Sequence, residues 1–131
     1  MRTLLLTSLA LLALAGCGGK EAVGTSSPYA GTYTGTWVNV AKASDHGTSL
    51  WTFGADGTMT GQDFDPTLNL TYNLTGTIQP VGTLQSVSTP VGGSPATLNG
   101  PLTFNNSGQL TGVLVWGVTP QLLYRYTFTK Q

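Results

Sequence analysis

The chain has 131 residues, including 18 Gly and 22 Thr, with 8% charged residues, one Cys and a formal net charge of zero. That length holds one domain and not two. Its five Lys and Arg are isolated from one another and lack the basic footprint that a phosphate backbone requires, so nucleic acid is not an expected partner.

Met1-Arg2 gives a short positive start, and Thr3 to Ala15 is an almost unbroken apolar run. Leu14-Ala15-Gly16-Cys17 closes it with small residues before the single cysteine. This reads as a signal peptide over residues 1–16. The run is well short of the roughly 20 residues of a spanning helix, and no basic flank stops it. Leu-Ala-Gly-Cys resembles the lipobox of bacterial lipoproteins. The resemblance implies cleavage before Cys17, a diacylglyceryl thioether on its sulfur and a palmitate-type acyl chain on its new amino group. A lipid bilayer is then the first expected partner, because two or more chains anchor stably where one does not. Gly18 stands where an Asp favours inner-membrane retention in that family, which directs the expectation to an outer membrane where the organism has one. With Cys17 acylated, no thiol remains for a disulfide.

Residues 17–28, ending Gly-Thr-Ser-Ser-Pro, carry few large apolar groups and read as a flexible tether. The domain is expected over residues 29–131, enough for one core. Thr and Gly fill its polar positions, and apolar residues recur at every second position, so the expectation is all-β. Tyr33, Gly35, Trp37 and Asn39 share one face of a first strand. Trp51 and Phe53 head a second, and Gly54-Ala55-Asp56-Gly57 turns it into a third over Thr58 to Gln62. The longest register belongs to a fourth strand, with Leu68, Leu70, Tyr72, Leu74, Gly76 and Ile78 on one face. Thr83 to Ser88 follows as the fifth strand. Ala96 to Phe104 is the sixth, where Asn99-Gly100 and Pro101 mark an edge, bulge or break. After the Asn105-Asn106-Ser107-Gly108 turn come a strand with Leu110, Gly112, Leu114 and Trp116 and a last one with Leu122, Tyr124, Tyr126 and Phe128.

About eight short strands with short turns make an antiparallel up-and-down meander, which avoids open edges by closing, or nearly closing, into a barrel. An eight-stranded barrel is either filled by side chains or just able to hold one small ligand. Tyr33, Trp37, Trp51, Phe53, Met59, Tyr72, Trp116, Tyr124, Tyr126 and Phe128 are expected inside. Such a set can line an aromatic pocket, but the first expectation is that it simply fills the core. If there is a pocket, Asn39 is expected at its floor beside Trp37, offering a donor and an acceptor.

Gly35-Thr36-Trp37-Val38-Asn39, the Gly54 to Gly61 hairpin and Thr127-Phe128-Thr129-Lys130 resemble the avidin and streptavidin pattern. More broadly, Gly-x-Trp with Arg125 near the end is similar to the calycin barrels that include lipocalins. The resemblance covers the start and end of the domain. It implies that Asn39 bonds a ligand oxygen, with Ser44 or Ser49 as the loop serine beside it, and with Trp37, Trp51, Tyr72, Trp116 and Tyr124 as walls. The pattern is broken at two places: Asp63 stands near its tyrosine position and Tyr126 at its aspartate position. Arg125 is out of phase with Tyr124, Tyr126 and Phe128.

Asp45, His46, Asp63 and Asp65 are the residue types of a metal site, but a lone His on a loop before Gly47 reads as a solvated turn residue. No metal, no cofactor and no catalytic constellation is expected, and the chain does not read as an enzyme. Two functions stay open. One is a lipid-anchored barrel whose mouth, with Asn39 and the Ala41 to Gly47 loop, takes a small apolar or mixed ligand. The other is a structural module of the cell envelope with a filled core and a protein partner.

Overall fold

A computed structural model describes residues 25–117 and 120–131. The expected signal peptide, Cys17 and the first part of the expected tether lie outside the described residues. Nine strands follow in chain order: β1 Gly31–Asn39, β2 His46–Phe53, β3 Thr58–Asp65, β4 Leu70–Ile78, β5 Thr83–Pro90, β6 Ala96–Pro101, β7 Thr103–Phe104, β8 Leu110–Trp116 and β9 Leu122–Lys130. Sequence neighbours from β1 to β6 pair antiparallel, β9 lies between β1 and β8, and β6 pairs with β8. That last pairing closes the sheet. The result is an all-β, up-and-down antiparallel barrel, an architecture consistent with the calycin type.

β6 and β7 are two pieces of one barrel strand. Leu98 opposite Trp116 and Asn99 opposite Val115, then Thr103 opposite Thr111 and Phe104 opposite Leu110, keep a single register along β8. The interruption falls at Pro101-Leu102, where proline has no N–H to give to the ladder. Leu102 instead donates its backbone N–H to Gly82, 2.9 Å away, and buries its side chain completely.

The β2–β3 hairpin forms as expected. Gly54 N–H reaches Thr58 O at 2.8 Å, Gly57 takes φ 84°, and Asp56 Oδ1 accepts the Thr58 amide at 3.0 Å and its hydroxyl at 2.7 Å. Left-handed φ at that position favours glycine.

Three strands run differently from the expectation. β2 begins at His46, so Trp51 and Phe53 end it rather than head it. Its earlier inward positions, Gly47 and Ser49, are small because large groups lie over them: a Cβ on Gly47 would collide with the Trp37 ring. β3 continues past Gln62 to Asp65, carrying two acidic residues inward with Met59 and Gly61. β4 begins at Leu70, leaving Leu68 exposed in the turn before it.

The barrel has two unlike ends. One gathers the β2–β3, β4–β5 and β7–β8 turns and is filled by Tyr33, Phe53, Met59, Leu84, Leu102, Leu110 and Phe128, all at most 2% exposed. Tyr29 closes it, stacked on Phe104 at 5.6 Å, and Ser27 already bonds the hairpin through Ala55 at 2.8 Å. The chain therefore enters the barrel at this closed end. The other end gathers the β1–β2, β3–β4 and β5–β6 connections and holds the polar residues.

Candidate functional site at the barrel mouth

Alternation along β3 places Asp63 and Asp65 on the inner face, and antiparallel pairing sets Ser49 of β2 directly opposite Asp63. Asp63 is buried, at 4% exposure. Its Oδ1 accepts the Ser49 hydroxyl at 2.6 Å and the Trp51 indole N–H at 2.8 Å, while its Oδ2 accepts the Tyr126 hydroxyl at 2.7 Å from across the barrel. Burial raises its carboxyl to about 6, against the three hydrogen bonds, which favour the ionised form. Burial and the Asp63 charge together hold the Tyr126 phenol well above its ordinary range.

A second cluster closes the rim. Asp45 Oδ2 accepts Asn39 Nδ2 at 2.9 Å and the Tyr124 hydroxyl at 3.2 Å, and Asn39 Oδ1 accepts the Ala41 amide at 2.9 Å. Tyr124 meets Trp37 edge to face, 5.4 Å between ring centres. Its phenol is raised by burial and by Asp45, that of Tyr72 by burial and by Asp65, Asp45 and Asp63. Asp65 turns the chain into β4, its Oδ1 accepting the amides of Thr67 at 2.8 Å and Leu68 at 3.1 Å.

These groups surround a cavity of about 140 Å³. Five aromatic rings line it, those of Trp37, Tyr72, Trp116, Tyr124 and Tyr126, with Leu68 and Ser88 between them and the carboxylates of Asp45, Asp63 and Asp65. An apolar cavity of about 150 Å³ admits benzene, whereas drug-sized ligands occupy roughly 300–1,000 Å³. The site thus suits the head of a small molecule. Trp37 is 6% exposed, and its indole N–H is buried with no hydrogen-bond partner.

Of the residues expected from sequence, Trp37, Tyr72, Trp116 and Tyr124 line the cavity. Ser49 and Trp51 lie behind it and hold Asp63. Asn39 is not at the floor: as the last residue of β1 it sits at the rim, and both ends of its amide are spent on the β1–β2 loop. Ser44 is exposed on that loop and lines nothing. Arg125 points to the outer face, where its phase puts it. Of the four residues that the sequence grouped as metal-site types, Asp45, Asp63 and Asp65 meet at the cavity and His46 is exposed outside it, whereas a ligand-facing role for the aspartates, and Ser88, Leu68 and Tyr126 as a polar partner, were missed. The available signal was Asp63 and Asp65 in phase with Met59, acidic residues on an inner face in a chain with few charges. Asp63 and Tyr126, the two residues that break the avidin-like pattern in the sequence, bond each other across the barrel. Among the described residues no group of three or more His, Cys, Asp or Glu side chains is placed to hold a metal ion.

Compared with models of protein families, with curated proteins and with solved structures, the chain finds no match, so the reading of this site rests on its own geometry.

Proposed function

We propose that the protein is a lipid-anchored binding module of the bacterial cell envelope that takes a small ligand into the mouth of its barrel. The observation that carries this reading is the contrast inside one barrel. Side chains fill the closed half, whereas the mouth half keeps a cavity in which aromatic rings surround a buried, hydrogen-bonded carboxylate. Few polar groups placed against an apolar wall are what small-molecule sites require. The anchor would be the acylated Cys17, and the chain enters the barrel at the closed end, opposite the mouth. Nothing in this reading calls for a cofactor or for catalysis.

Native mass spectrometry of the full chain released from membranes in mild detergent tests it, together with ligand-observed NMR against a small fragment library. Fragments that bind and are displaced by Trp116→Ala support the reading. A barrel that binds none would favour the structural module, with the mouth or the outer face meeting an envelope protein. For the anchor, Cys17→Ser is expected to free the chain from membranes or leave it uncleaved, and a wild type that incorporates no fatty-acid label would refute it.

A further inference from the structure

We infer that the mouth cavity selects a small protonated amine with an apolar or aromatic body. This rests on the binding reading above and names its ligand class. Asp45, Asp63 and Asp65 all contribute to the lining of one cavity of about 140 Å³. Among the described residues the Lys and Arg lie elsewhere. Lys42 is exposed on the β1–β2 loop, Arg125 is on the outer face, and Lys130 is at the closed end with its ammonium 6.0 Å from the Tyr33 ring centre. Among the described residues no cationic side chain lines the cavity with the three carboxylates.

A carboxylate drawn out of water without a counter-charge is expensive, and Asp63 is held there by hydrogen bonds alone. A cationic ligand supplies the missing charge in a low-dielectric site, where its attraction is strongest. The aromatic wall works in the same direction, since the negative face of an indole or phenol ring attracts cations and repels anions. A hydrogen-bonding ammonium fits better than a quaternary one. Asp65 uses Oδ1 for the turn amides, and its Oδ2 takes no bond from a described residue, which leaves that oxygen free to accept one from an ammonium. Independently of the carboxylates, Trp37 lines the same cavity, is more than nine-tenths buried and leaves its indole N–H unpartnered. Unmade buried donors are rare, and a small turn of the ring that brings this N–H to the cavity surface would let an acceptor carried beside the ammonium satisfy it.

Calorimetric titration of the full chain at neutral pH and low salt, with benzylamine, benzyl alcohol and benzoate as probes, separates charge from shape. Benzylammonium is expected to bind at least tenfold more tightly than benzyl alcohol, and benzoate not at all. Asp65→Asn keeps the turn acceptor and should reduce benzylammonium affinity about fivefold and benzyl alcohol affinity by less than about twofold, because only the ammonium loses a charge partner. Asp63→Asn, with folding verified by near-UV circular dichroism, should do the same. If benzyl alcohol binds as well as benzylammonium, or both variants leave their ratio unaltered, the binding reading stands and the amine inference falls. If none of the three probes binds, the amine inference falls, and the fragment screen decides the binding reading.

Discussion

The two halves of this barrel solve the problem of an eight-stranded interior in opposite ways. Toward the closed end, Tyr33, Phe53 and Phe128 meet edge to face at 5.7 and 6.5 Å, and leucines fill the remaining space. Toward the mouth, the same alternation delivers Ser49, Asp63, Asp65, Ser86 and Ser88 to the inner face, all buried. Burial of apolar surface stabilises by roughly 25 cal/mol per Å², whereas buried polar groups at best recover what their desolvation costs. The closed half thus carries stability, and the mouth half uses some of it to hold a polar site.

The largest effects should follow that division. Phe128→Ala removes a fully buried ring that touches Tyr33, Trp51 and Tyr126, and is expected to cost about 3–5 kcal/mol. Trp37→Ala deletes a larger ring but enlarges a cavity that already exists and is polar enough to take water, so about 1–3 kcal/mol is expected. Denaturant melts of the two variants test the contrast directly. Equal losses would mean that the mouth is packed as tightly as the closed end.

Next in size is the pH dependence of Asp63. A folded-state value near 6 against 3.8 in the unfolded chain means that the native state binds the extra proton between those values. Stability from this group is then fully present below about pH 4 and is lost as pH rises through 6, by roughly 3 kcal/mol in all. The groups facing it are Ser49, Trp51 and Tyr126 by hydrogen bond, with Tyr72, Asp45 and Asp65 around the same cavity. Asp56 runs the other way at lower pH, since Thr58 holds its carboxyl below the ordinary value. Urea melts from pH 4 to 8 should show the fall in the wild type and a flatter profile in Asp63→Asn, where an amide oxygen still accepts from Ser49 and Trp51. Identical profiles would show that Asp63 does not titrate in this range.

Most of the closed half is legible in the sequence. Tyr33, Phe53 and Phe128 alternate with Thr, and Asp56-Gly57 announces the hairpin, because period and turn chemistry are local. The mouth is less so. Asp63 and Tyr126 are 63 residues apart and meet only because the barrel closes, and no periodicity reports that distance. The phase of Asn39 is readable, but its depth depends on where β1 ends and on a loop whose own hydrogen bonds consume its amide. β3 looks finished at Gln62 because its remaining inward positions are acidic, and only a hydrogen-bonded barrel interior makes acidic residues acceptable there.

Tyr126→Phe gives a smaller effect and tests whether the bond across the barrel matters. It removes one of three donors to Asp63 and leaves the two on Oδ1, so about 1–2 kcal/mol of stability at pH 7 should be lost. Because that bond favours the ionised form, the Asp63 carboxyl should titrate above its wild-type value. Carbon-detected NMR of the aspartate side chains would follow it. An unshifted carboxyl would place the Tyr126 hydroxyl on another partner in solution.

The smallest expected effect separates rim from cavity. Asn39→Ala breaks the bonds to Asp45 and to the Ala41 amide while Tyr124 keeps its bond to Asp45, so the loss should be near 1 kcal/mol. Ser44→Ala on the same loop removes an exposed hydroxyl and should stay within about 0.5 kcal/mol. Since Asn39 spends its amide on the loop, its loss should act on loop order before it acts on the cavity. Hydrogen exchange at Ala41 should accelerate in Asn39→Ala and not in Ser44→Ala, with affinity for any mouth ligand changing less than it does in Asp65→Asn. Should Asn39→Ala instead abolish binding with the Ala41 amide still protected, Asn39 would belong to the site itself, and the avidin-like reading of that residue would replace the one drawn from its hydrogen bonds.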